Sequence, residues 1–157
     1  MITRYPKKII SGGQSGVDRA ALDAALELGM AIGGWCPAGR KAEDGRIADK
    51  YPLQETNQEN YEMRTRLNVR DSDATLILFR KIFDEGTLLT ERMAEMLQKP
   101  VLTVDLELNV EDNLEKVVSW LKKQRPEVLN VAGPRESNSP GIYLAAYEFL
   151  KKVLLLR

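Results

Sequence analysis

The sequence predicts an α/β fold, a three-layer Rossmann-like sandwich around a mainly parallel five-stranded sheet. Two observations carry this. Short apolar runs alternate with longer segments of helical period along the whole chain. Several of the runs, TLILF (75–79) and VLTV (101–104) among them, are apolar without alternation, the pattern of strands covered on both faces.

The elements follow in order. Strands are expected at 7–11, 30–34, 74–79, 100–105 and 127–132. The first helix runs from Asp18 to Leu28 and stops at Gly29. Thr56 and Glu59 have the spacing of a capping box for a helix through Asn68. Thr87 is placed to cap a helix to Gln98, ahead of Pro100. From Glu111 to Gln124 the apolar residues Leu114, Val117, Val118 and Leu121 form one stripe, with acids at the start and Lys122 and Lys123 at the end, as the helix dipole favours. Pro140 suits the first position of a last helix that carries Tyr143, Ala146, Tyr147, Leu150 and Leu154 on one side.

The 157 residues are read as one Rossmann-like ligand-binding domain, 43% apolar and 29% charged, a composition that supports a packed core. Twenty-three basic and twenty-three acidic residues cancel, so no overall field recruits nucleic acid or an anionic membrane. No stretch approaches the ~20 apolar residues that span a bilayer, and the N-terminus lacks a signal peptide's apolar run. A cytoplasmic location is expected. One cysteine excludes an internal disulfide, and the absence of histidine excludes histidine triads and the usual zinc sets, so no directly bound metal is expected. Cys36 reads as a small buried residue. The terminal VLLLR, with exposed apolar positions on the last helix, predicts a homo-oligomer.

In such sheets ligands sit at the carboxyl ends of the strands, so the loops leaving the strands carry the function. The first, SGGQSGVD (11–18), places Gly12, Gly13 and Gly16 where backbone amides can approach an anion at a helix N-terminus. The alternative is a plain turn, with Ser15 capping the helix and Asp18 reciprocating. The loop reads S-x-G-x-x-G, and no acid stands about 20 residues after Gly16 to hold a ribose, which weakens a dinucleotide reading. Gly39, Arg40 and Lys41 bring charge to the loop after the second strand, either toward an anion or toward solvent. Tyr61, Arg64, Thr65 and Asn68 share one helical face, which points to a site or to solvent. Gly86 and Thr87 suggest a second helix-start anion site, with Thr87 as a simple cap the alternative. Gly133, Arg135, Ser137 and Asn138 make the last loop more polar than a turn requires.

Taken together, GGQSGVDRAALDAALELG, GGWCPAGRKAEDG, RTRLNVRDSDATLIL, EGTLLT and LNVAGPRESNSPGIY resemble the putative molybdenum carrier family. That family belongs to a Rossmann-like superfamily that also holds the lonely guy, or lysine-decarboxylase-like, phosphoribohydrolases. The resemblance implies a pocket for the phosphate of a pterin or nucleotide, built from Gly12, Gly13, Gln14, Ser15 and Gly16 with Gly86, Thr87, Gly133 and Arg135. Asp18, Arg40 and Ser137 complete the candidate set. The implied ligand is the molybdenum cofactor (molybdopterin) or a nucleotide, and the implied role is binding more than turnover, with a phosphoribohydrolase-type enzyme as the alternative. The hydrolase signature P-G-G-x-G-T-x-x-E lacks its proline and early glycines here, and Glu91 lies one position too far along.

Overall fold

A computed structural model describes residues 3–157. Five parallel strands form the central sheet: β1 (Lys8–Ile10), β2 (Ala31–Gly33), β7 (Ala74–Phe79), β8 (Val101–Asp105) and β9 (Val128–Ala132), in the order β2-β1-β9-β7-β8. The last strand is therefore a central one. Ile9 aligns with Leu129, and Leu129 in turn with Ala74, so β9 joins β1 to β7. All five strands coincide with the apolar runs, because a strand covered on both faces needs no polar alternation.

The helices are α1 (Val17–Glu27), α2 (Tyr61–Arg70), α3 (Glu85–Met96), α4 (Val110–Gln124) and α5 (Ile142–Leu156). α1, α4 and α5 pack together, and α2 packs on α3. The main core joins Ile9, Leu76, Leu78, Leu129 and Val131 of the sheet to Val17 and Ala20 of α1, Leu121 of α4 and Leu150 of α5. α1 packs on α5 and brings the small side chains of Ala20, Ala21, Ala24 and Ala25 into this core. No helix among the described residues is long and apolar enough to cross a membrane.

Between β2 and α2 the chain makes an excursion of two-residue strands. β3 (Trp35–Cys36) pairs with β6 (Gln54–Glu55), and β4 (Lys41–Ala42) forms a hairpin with β5 (Gly45–Arg46). Beneath it lies a second small core of Leu22, Cys36, Ala42, Ile47, Tyr51 and Leu53. Cys36 is buried there, and burial pushes its thiol pKa up, so it packs as a small apolar residue.

Several helix ends differ from the sequence expectation. The cap of α2 is Asn60, whose side chain accepts from the Met63 amide, whereas Thr56 closes a local turn with Gln58. Asp84, three residues ahead of Thr87, caps α3. α1 begins after Gly16 without a side-chain cap, and α5 begins after Gly141, leaving Pro140 in the preceding turn. In each case an Asn, an Asp or a glycine of positive φ, one to four residues from the expected one, takes the cap position.

Candidate functional site

A cavity of about 570 Å³ opens at the carboxyl ends of β1, β9 and β7. Its size is that of a small-molecule site. Gly12, Gln14 and Asp18 form the side next to β1. Tyr61, Arg64, Thr65 and Asn68 of α2 all line it, so the polar face of that helix points inward. Asp84, Glu85 and Gly86 supply the α3 side, and Asn130, Gly133, Arg135 and Asn138 the β9 side.

The first loop is held by bonds among its own groups. The Gly13 amide donates to Ser11 Oγ (3.3 Å), that of Gln14 to Asp18 Oδ2 (3.3 Å), and that of Ser15 to Gln14 Oε1 (3.0 Å). The Val17 amide donates to the Pro134 carbonyl at 3.2 Å. Most amides that an anion would use at this helix start are thus engaged within the protein. Gly16 has φ 79°, and a Cβ there would stand 2.4 Å from the Pro134 oxygen, so glycine is required for the loops after β1 and β9 to touch. At Gly12, a Cβ would lie 2.2 Å from Arg64 Nη1; the missing side chain makes room for that arginine.

Arg64 lies across the cavity wall. It donates to the Gly12 carbonyl at 2.9 Å, approaches Asp18 Oδ2 at 3.4 Å and sits over the Tyr61 ring at 5.1 Å. Burial raises the Asp18 pKa from 3.8 to about 6, with Arg64 opposing the shift. Asp84 behaves oppositely. Burial works against its charge, but Asn138 Nδ2 (3.0 Å) and the hydroxyl and amide of Thr87 (2.6 and 2.8 Å) outweigh it and hold the pKa below 3.8. Arg135 is the least committed cation on the wall. Its side chain is 40% exposed and comes no closer than 3.8 Å to Glu43. Glu43 ties the β4–β5 hairpin to the last loop by accepting from the Ser15 and Ser137 hydroxyls and the Ser137 amide.

Of the residues singled out from sequence, Gly12, Gln14, Asp18, Gly86, Gly133, Arg135 and Asn138 come together on this cavity with the α2 face of Tyr61, Arg64, Thr65 and Asn68. The others lie elsewhere. Gly13 faces the small core, where a Cβ would stand 2.6 Å from Leu53. Ser15 and Gly16 line a shallower cavity of about 410 Å³, with Arg19, Asp23, Tyr51 and Tyr143. Thr87 is buried in the first turn of α3, both its donors spent on Asp84. Ser137 turns toward Glu43. Arg40 departs furthest from expectation: its guanidinium donates to the carbonyls of Ile47, Leu53, Ala48 and Tyr51 and pins the excursion from inside. Asn130 was missed, although a lone polar residue inside the apolar VLNVA run was its visible signal.

No curated protein matches the chain. The family model described as the circularly permutated YpsA SLOG family matches residues 9–154. A crystal structure described as a putative molybdenum carrier protein, from Syntrophus aciditrophicus SB, is similar at 46% identity. It covers 95% of each chain and superposes with a TM-score of 0.92. With nearly its whole length matched and the cavity in the place where such sheets hold ligands, this chain belongs to the circularly permutated YpsA SLOG family.

Proposed function

We propose that the protein binds a phosphorylated pterin or nucleotide, of the kind a molybdenum cofactor carrier would hold, in the cavity at the carboxyl edge of the sheet. One observation carries this reading. A cavity large enough for a ring and a phosphate has Arg135 standing half-open beside the first turn of α3. There an anion would meet the Arg135 guanidinium close to Gly86, and must seat against the guanidinium itself, away from the carboxylates of Asp84 and Glu85. The described residues include no cluster of three or more metal-ligating side chains. A molybdenum cargo would therefore be held through its organic ligand.

The test is calorimetry with pyrophosphate, nucleoside monophosphates and phosphorylated pterins. Arg135→Ala should weaken binding by about 1.5–3 kcal/mol, the worth of a charge-assisted hydrogen bond. Binding unchanged by that substitution, or no binding of any phosphorylated probe, would overturn the proposal.

A second reading, a nucleotide N-glycosidase, is favoured by the carboxyls of Asp18, Asp84 and Glu85 around one cavity. An Asp18 that titrates near 6 is suited to proton transfer at neutral pH. Release of free base from a nucleoside monophosphate, lost in Asp18→Asn, would establish it.

A further inference from the structure

Three side chains facing the cavity are more than nine-tenths buried, and each has a polar atom that meets no other described residue. Gln14, 5% exposed, accepts through Oε1 from the amides of Ser15 and Glu43, which orients its amide and leaves the donor Nε2. Asn130, 3% exposed, donates through Nδ2 to Thr75 Oγ1 at 3.2 Å and leaves the acceptor Oδ1. Asp18, 5% exposed, takes the Gln14 amide and Arg64 on Oδ2 and leaves Oδ1. Among the described residues no sealed side-chain nitrogen or oxygen lacks a partner, so these three atoms reach open space, and the residues that carry them all line the cavity.

Their chemistry selects a partner. The three offer one donor and two acceptors. A phosphate, which offers acceptors alone, would satisfy Gln14 and confront the other two. The complement is a group with one acceptor and two donors on one edge. An aminolactam, with its carbonyl, ring N–H and exocyclic amino group, has that pattern; adenine does not.

We propose that Gln14, Asp18 and Asn130 read the aminolactam edge shared by pterins and guanine, with Asp18 and Asn130 accepting from its N–H groups and Gln14 donating to its carbonyl. This rests on the cavity being the ligand site proposed above, and it places the ring against the sheet and the phosphate outward, beside Arg135. Asp18 accepts as a carboxylate. The charged groups facing it are Arg64 of α2, Arg19 of its own helix and Asp84 ahead of α3, with Glu85 and Arg135 on the same cavity. Because burial lifts Asp18 to about 6, affinity for an aminolactam should fall as pH drops from 7 to 5. A phosphate seated against Asp18 would bind more tightly over the same range, since protonation removes the repulsion.

The experiment is calorimetry at pH 7 and 5 with guanosine monophosphate, adenosine monophosphate, unphosphorylated pterin and pyrophosphate. The expected result is that the guanine nucleotide binds at least about tenfold more tightly than the adenine one, the effect of one charge-assisted hydrogen bond. That preference should vanish in Asp18→Asn, which keeps the shape and replaces one acceptor by a donor. Asn130→Ala should also reduce it, and serves if circular dichroism shows Asp18→Asn misfolded. Pterin binding tighter than the guanine nucleotide identifies a pteridine ligand, and the reverse order a nucleotide. Equal binding of both nucleotides and pyrophosphate overturns this inference and leaves the phosphate site standing. Pterin bound while pyrophosphate is not upholds the inference and removes the phosphate reading. No binding of any probe overturns both.

Discussion

Replacing Arg40 tests whether the excursion between β2 and α2 is pinned from inside. Its guanidinium donates to the carbonyls of Ile47 (3.0 Å), Leu53 (3.3 Å), Ala48 (2.7 Å) and Tyr51 (2.8 Å). A hydrogen bond involving a charged group contributes about 1.5–3 kcal/mol. The four share one cation and do not add, and a freed loop would expose part of its backbone to water. Counting two as effective, Arg40→Ala should cost about 3–6 kcal/mol. At roughly 2–4 °C per kcal/mol for a chain of this size, the melting temperature falls by about 6–24 °C. Arg40→Lys keeps the charge but loses the planar fork, and should lose at least half as much. Urea unfolding followed by circular dichroism gives the magnitude, and limited proteolysis should show new cuts between residues 39 and 55. An anion-binding arginine would behave differently, weakening ligand affinity and leaving the free protein's stability alone. Arg40→Ala within about 1 kcal/mol of the parent, with an unchanged cleavage pattern, would refute the reasoning.

Other substitutions follow from the same geometry. A Cβ at Gly133 would lie 2.1 Å from the Leu78 oxygen and 2.6 Å from Val17, so Gly133→Ala must displace β7 or α1. It should cost well over the ~1–2 kcal/mol of left-handed strain that Gly29→Ala incurs, where φ is +71° but space is open; denaturant midpoints compare the two. Asp18 holds its proton up to about pH 6 when folded but only to 3.8 when unfolded, so folding takes up a proton in that window and its contribution falls as pH rises through it. Unfolding free energies of the parent and Asp18→Asn should therefore diverge between pH 4 and 6 in favour of the variant, by up to ~3 kcal/mol; parallel curves would exclude the shift. Glu43 is depressed: burial opposes its charge, but Ser137 and Ser15 outweigh it, so this contribution is present above pH 4.5 and lost below. Glu43→Gln should speed hydrogen exchange at Ser137 and in the β4–β5 hairpin at neutral pH.

The sheet was legible because a parallel strand buried on both faces writes itself as an unbroken apolar run, and TLILF and VLTV could be little else. The face of α2 was legible as spacing, since Tyr61, Arg64, Thr65 and Asn68 recur at helical intervals. What sequence could not show was direction. Arg40 is a cation in a loop whether it faces an anion or its own carbonyls, and only the path of residues 47–53 decides between them. The glycines of the first loop invited an anion reading, yet Gly13 and Gly16 answer to Leu53 and Pro134, residues remote along the chain. Asn130 was hidden by its strand, where one polar residue among apolar neighbours reads as noise until the cavity beside it is seen.

The position of β9 has a consequence for synthesis. β1 and β7 share no hydrogen bonds with each other; each pairs with β9, which the ribosome makes after the other four strands of the sheet. A nascent chain that ends within α4 holds two half-sheets, β1 with β2 and β7 with β8, each with a raw edge and no keystone between them. Such edges are templates for other chains. The sheet can close only once Val128–Ala132 takes its place between them, and a chain stopped before Val128 is left as two separate ribbons with no strand to pair them.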